Sequence, residues 1–63
     1  MNNFIMINNS IINLNDVSEM YLNEDDLIIV EYMSDKARGV FDFDSREEAE
    51  RAINDIYDQI KLG

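Results

Sequence analysis

The sequence has no cysteine, histidine, proline or tryptophan, and only two glycines among its 63 residues. Without cysteine and histidine there can be no disulfide staple and no common zinc site, the usual supports for a chain near the lower size limit of independent folding. Tight packing or self-association must then supply the stability. Scarce glycine and absent proline leave no linker, and no repeat or low-complexity tract is visible, so residues 1–63 read as one unit. Basic side chains are also few: five face fourteen acidic ones, a formal net charge of -9. Such a field repels phosphates, so no direct nucleic-acid contact and no membrane surface is expected. No apolar run approaches the roughly 18 residues of a membrane span, and Met1-Asn2-Asn3-Phe4 carries no basic stretch of a secretory leader. The expected location is the cytoplasm.

What is present is apolar: 46% of the residues are hydrophobic and six are aromatic, too many for a disordered acidic tail. Phe4-Ile5-Met6-Ile7 and Ser10-Ile11-Ile12-Asn13-Leu14 are strand-like, and the intervening Asn8-Asn9 suits a tight hairpin because asparagine tolerates positive φ. Val17 to Leu22 and Leu27 to Tyr32 form a second strand pair around the turn residues Asn23-Glu24-Asp25-Asp26. Met33 to Arg38 reads as a polar loop, and Gly39-Val40-Phe41-Asp42-Phe43 as a fifth strand with both phenylalanines on one face. Ser45 then stands as a helix cap, with Glu48 three residues on as a capping-box partner and acids crowding the first turn. Ala49, Ala52, Ile53, Ile56 and Ile60 recur every three or four residues, one stripe to lay on the sheet. On the outer face, Arg46 with Glu50, Glu47 with Arg51, and Arg51 with Asp55 stand four apart. The expected fold is α+β: a four- to five-stranded antiparallel sheet of hairpins followed by one C-terminal amphipathic α-helix.

These strands break the alternation of a sheet with one wet face. If Ile28, Val30 and Tyr32 face the helix, Leu27 and Ile29 point away from it, and Phe4 and Met6 are likewise opposed by Ile5 and Ile7. The candidate interface residues are therefore Ile5, Ile7, Tyr21, Leu27, Ile29 and Val40, an apolar set that one helix cannot shelter. The expected cover is a second copy of the chain, a homodimer packed sheet to sheet, with another protein as a further partner; the N-terminal hairpin folding over that face is the alternative.

Catalytic chemistry lacks its parts. No histidine or cysteine is present, and Ser10, Ser18, Ser34 and Ser45 have turn, strand or cap roles with no base nearby in sequence. The chain reads as a non-enzyme with no cofactor. Glu24-Asp25-Asp26, and Asp42 and Asp44 followed by Glu47 and Glu48, could offer oxygens to a hard cation, but the spacing of an EF-hand loop is missing and solvated turns explain both. No metal is assigned. Lys36-Ala37-Arg38-Gly39 is a sparse basic cluster that an exposed loop explains equally well. The acids Glu24, Asp25, Asp26, Asp35 and Asp42 are the candidate surface for a partner, with carboxylates standing in for phosphates before a basic groove.

The Ile- and Asn-rich opening, Asn2-Asn3-Phe4-Ile5-Met6-Ile7-Asn8-Asn9, and the run Phe41-Asp42-Phe43-Asp44-Ser45-Arg46-Glu47-Glu48-Ala49-Glu50 give the chain a further character. It resembles the small acidic proteins encoded by phages of low-GC bacteria, including anti-defence inhibitors such as anti-CRISPR proteins. That resemblance implies an inhibitor of a host defence or nucleic-acid-processing protein and assigns no residue a role. A structural or assembly component, and a dimer sequestering a small molecule between its halves near Tyr21, Tyr32 or Phe41, are the alternatives.

Overall fold

In the computed structural model, which describes residues 3–34 and 38–62, five strands and one long helix follow one another along the chain. They are β1 (Phe4–Ile7), β2 (Ser10–Asn13), β3 (Val17–Leu22), β4 (Leu27–Tyr32), β5 (Gly39–Asp42) and α1 (Arg46–Leu62), with a 3-10 turn at Leu14–Asp16. The class is the α+β one expected, with five antiparallel strands and a C-terminal helix, but the strands divide into two sheets instead of one. β1 pairs only with β2, and β3, β4 and β5 form a separate sheet in that order. The break falls at the 3-10 turn. Asn13 Oδ1 accepts the N–H of Asn15 at 3.0 Å, and this local bond offers the backbone an alternative to continuing the ladder. The second strand accordingly stops at Asn13, one residue short of the expected Leu14.

Both hairpin turns use left-handed residues. Asn8, at φ 54°, reverses the chain between Ile7 and Ser10, which are paired. Asp26, at φ 65°, closes the four-residue loop, residues 23–26, between β3 and β4. There Asn23 Oδ1 accepts the N–H of Asp25 at 2.9 Å and of Leu27 at 3.0 Å, so one side chain satisfies two turn amides.

The core forms where four elements present isoleucine and valine to each other. Ile28 and Val30 on β4, Ile5 and Ile7 on β1, Ile12 on β2 and Ile56 on α1 make one buried cluster, with Tyr32, Phe41, Phe43, Ala52 and Ile53 packed against it. Ile5 and Ile7 are only 1% and 2% exposed, which corrects their expected place on an outward interface. Pairing of Ile5 with Ile12 fixes one face of the hairpin, and that face is spent on the core. The hairpin thus joins the helix over the inner face of the larger sheet and does not fold across its outer face. Phe4, Met6 and Ile11 are turned to solvent as a result, at 52%, 55% and 69% exposure.

The helix starts as its sequence indicates. Ser45 Oγ accepts the N–H of Glu48 at 3.2 Å, and Glu47 and Glu48 occupy the first turn. Arg46 to Glu50 and Arg51 to Glu47 form at 3.7 and 3.2 Å on the exposed side. Asp55 instead accepts a hydrogen bond from Gln59 Nε2 at 3.0 Å. Of the apolar stripe, Ala49 and Ile56 are buried, whereas Ile60 stays about half exposed because the helix runs past the edge of the core.

Gln59 also does for β1 what a third strand would do. Its Oε1 accepts the N–H of Met6 at 2.9 Å, and its Nε2 donates to the Met6 carbonyl at 3.1 Å. Those two groups lie on the side of β1 away from β2, so the carboxamide occupies an otherwise open strand edge. Replacing Gln59 with leucine should cost about 1–2 kcal/mol in urea unfolding, and should speed hydrogen exchange at the Met6 amide before other β1 amides. Exchange at Met6 unchanged by this substitution would refute the role of the clamp. Ile28→Ala in the middle of the cluster should cost more, about 2–5 kcal/mol, enough to unfold most of a domain this small.

Candidate protein-docking face

Strand register decides which side chains share the outer face of the larger sheet. Tyr21 pairs with Ile29 and Ile29 with Val40, so these three form a row across all three strands. One step along, Leu27 pairs with Asp42; one step the other way, Glu19 pairs with Glu31. Residues on the intervening positions, Met20, Leu22, Ile28, Val30 and Phe41, face the core. Four of the six expected interface residues, Tyr21, Leu27, Ile29 and Val40, are therefore brought together on this face with the acidic Asp42. Ile5 and Ile7 are not.

Among the described residues no helix or hairpin covers the row. Val40 is 51% exposed, and Ile29 drops to 4% because its cross-strand neighbours Tyr21 and Val40 flank it. The rim is polar and mostly negative. Tyr21 Oη donates to Glu31 Oε2 at 3.4 Å, and Arg38 Nη2 lies 3.9 Å from Glu31 Oε1. These bonds hold the ring and the guanidinium across the face. Near the strand bulge between Val17 and Glu19, Ser18 Oγ donates to the Glu31 carbonyl at 3.3 Å.

The expected acidic surface is assembled in part. Glu24, Asp25 and Asp26 occupy the β3–β4 turn, and Asp42 stands at the same end of the sheet beside Leu27. Asp35 lies outside the described residues, as do Lys36 and Ala37. Arg46 at the start of α1 reaches this turn: its Nη1 donates to the Asn23 carbonyl at 2.6 Å and lies 3.5 Å from Asp26 Oδ1. One of the three turn carboxylates is thus partly neutralised, and Glu24 and Asp25 are left outward. Among the described residues no three carboxylates gather in a way that could hold a metal ion.

Concave sites are slight. A cleft of about 160 Å³ lies between β3 and the C-terminal half of α1, lined by Met20, Ile53, Ile56, Tyr57 and Ile60. It falls below the several hundred Å³ that enclose a small organic ligand. A larger dish of about 410 Å³ on the helix is lined by Glu48, Arg51, Ala52 and Asp55, charges around a single alanine. Tyr21 points to the outer face while Tyr32 and Phe41 pack on the core, so the three aromatics expected around a sequestered molecule do not share one face. Four side chains escaped the sequence reading: Gln59, whose partner is 53 residues away, and the outward trio Phe4, Met6 and Ile11. The alternation of β1 allowed either face to be the inner one.

Asn23 carries the turn that aims the acids. Asn23→Ala should destabilise by about 1–2 kcal/mol in urea unfolding, because two backbone N–H groups lose their acceptor. It should also broaden the amide signals of Glu24 to Leu27, and a variant with unchanged stability would remove this account of the turn. No helix among the described residues is long and apolar enough to cross a membrane. Compared with protein-family models, with curated proteins and with solved structures, the chain matches none.

Proposed function

We propose that this chain is a non-catalytic protein-binding module whose docking surface is the outer face of the three-stranded sheet. The observation that supports this reading is the apolar row Tyr21–Ile29–Val40, in which Val40 is exposed, Tyr21 half-buried and Ile29 enclosed between them, bordered by Glu19, Glu31 and Asp42. An apolar centre with a charged rim is the anatomy of a protein interface, and tyrosine is favoured at its energetic centre. The formal charge of -9 selects a partner of the opposite sign, speeding its approach and rejecting acidic competitors. Such a partner presents a cationic surface with an apolar anchor. In its sharper form, the chain occupies the basic groove of a host defence or nucleic-acid-processing protein, with carboxylates in place of phosphates, and acts as its inhibitor.

A second reading, a component that docks into a larger assembly, draws on the other outward apolar face. Phe4, Met6 and Ile11 lie together on the hairpin, with Met6 directly paired to Ile11 and no acid among the strand residues. Binding there would be indifferent to salt, because apolar contact is not screened.

Affinity capture with the purified chain separates the two. On the first reading, retained protein is released as salt rises from about 0.1 to 0.5 M. Tyr21→Ser and Glu19→Lys, both on β3, should each weaken retention by about tenfold, while Ile11→Ser leaves it unchanged. Retention that survives both β3 substitutions and is lost with Ile11→Ser would transfer the function to the hairpin.

A further inference from the structure

The four outer strand edges of the two sheets are treated differently. The edge of β1 is filled by the Gln59 carboxamide. That of β3 is bent by the irregularity between Val17 and Glu19, a usual device for blunting an edge. β2 carries no charged residue that could set a register. β5 has no strand beside its outer edge among the described residues, and it is short, regular and charged at both ends, with Arg38 just before it and Asp42 at its close.

The hydrogen-bonding phase of that edge can be counted across the sheet. Asn23 N–H donates to the Leu27 carbonyl at 2.9 Å, so the Tyr21–Ile29 pair two residues along is also a bonded one. Ile29 is then turned to β3, Ile28 and Val30 bond Phe41 and Gly39, and the N–H and carbonyl of Val40 point away from the sheet.

From this arrangement we propose that two copies of the chain pair along β5, antiparallel, about a two-fold axis at Val40. In that register Val40 meets its own copy through two reciprocal backbone hydrogen bonds. Arg38, which stands 3.9 Å from Glu31 of its own chain, falls opposite Asp42 of the second copy on its other side, and Asp42 opposite the copy's Arg38, so opposite charges meet twice on the outer face. On the inner face Phe41 falls opposite Gly39, which brings no side chain of its own to the junction. Gly39 already accommodates Phe41 Cε2 of its own strand, 3.4 Å from where a Cβ would stand. The product is a six-stranded sheet with the apolar row doubled end to end. It stands apart from the docking reading above, since either can fail while the other holds.

Net charge opposes the pairing, because each copy brings -9. At physiological salt the Debye length is about 8 Å, which screens repulsion between distant carboxylates but hardly touches ion pairs in contact across the junction. The local complementarity therefore decides the register, and the small contact makes the dimer a weak one.

Sedimentation equilibrium of the full chain, from about 1 µM to 1 mM in about 0.15 M salt, tests this. The mass should rise from the chain's 7.4 kDa towards twice that value. Arg38→Asp and Asp42→Arg should each weaken association about tenfold, and the two together should restore it to within about threefold, because the pairs re-form with exchanged signs and the net charge is unchanged. Val40→Pro removes only an N–H on the free edge, a place where a strand tolerates proline, and should abolish association while the helical circular dichroism signal is kept. If Val40→Pro fails to fold, the charge exchange alone decides. A mass that stays at 7.4 kDa up to 1 mM overturns the proposal, and so does a dimer that the single charge reversals leave intact. A dimer broken by Met6→Ser or Ile11→Ser, and not by the β5 changes, overturns it equally.

Discussion

Burial of β4 from one side is the constraint on which the rest of the molecule depends. Ile28 and Val30 are fully enclosed by the helix through Ile56 and by the hairpin through Ile5, Ile7 and Ile12. Among the described residues the one helix and the hairpin are both spent on this inner face, and neither is left for the outer face of the sheet. With no disulfide and no histidine to help, this cluster must carry nearly all the apolar burial that offsets the entropy of ordering the chain.

Polar groups around the core serve mainly to close backbone ends. Asn13 and Asn23 satisfy turn amides, Ser45 caps the helix, Gln59 fills the β1 edge, and Arg46 ties the helix start to the β3–β4 turn. Among the described residues no buried side-chain polar atom lacks a partner. The exposed ion pairs Arg46–Glu50 and Glu47–Arg51 add a few tenths of a kcal/mol each, so the specificity of the fold comes from the caps and clamps more than from charge pairing.

The same economy leaves two apolar surfaces of different character. On the sheet, Tyr21, Ile29 and Val40 sit within a carboxylate rim, whereas the hairpin shows Phe4, Met6 and Ile11 without charge beside them. An acidic rim filters partners by sign, and a bare apolar trio does not.

Local signals in the sequence determined the elements: the strand runs, the Asn8-Asn9 and Asn23–Asp26 turns, and the Ser45 cap with its acidic first turn are short-range chemistry that needs no distant neighbour. Register on β4 was equally legible, because Leu27 and Ile29 must oppose Ile28 and Val30 by the two-residue period; the strand pairing then brings Asp42 onto the face that Tyr21, Leu27, Ile29 and Val40 share. What only the tertiary structure decided was which side of β1 is buried. Phe4 and Met6 are as apolar as Ile5 and Ile7, so alternation could not choose between them. The choice follows from packing the hairpin beside α1, where Gln59 meets the Met6 backbone from 53 residues away and Ile5 and Ile7 fit against Ile56. The division into two sheets falls where a local side-chain bond at Asn13 turns the chain into the 3-10 segment, which hydrophobic periodicity does not report.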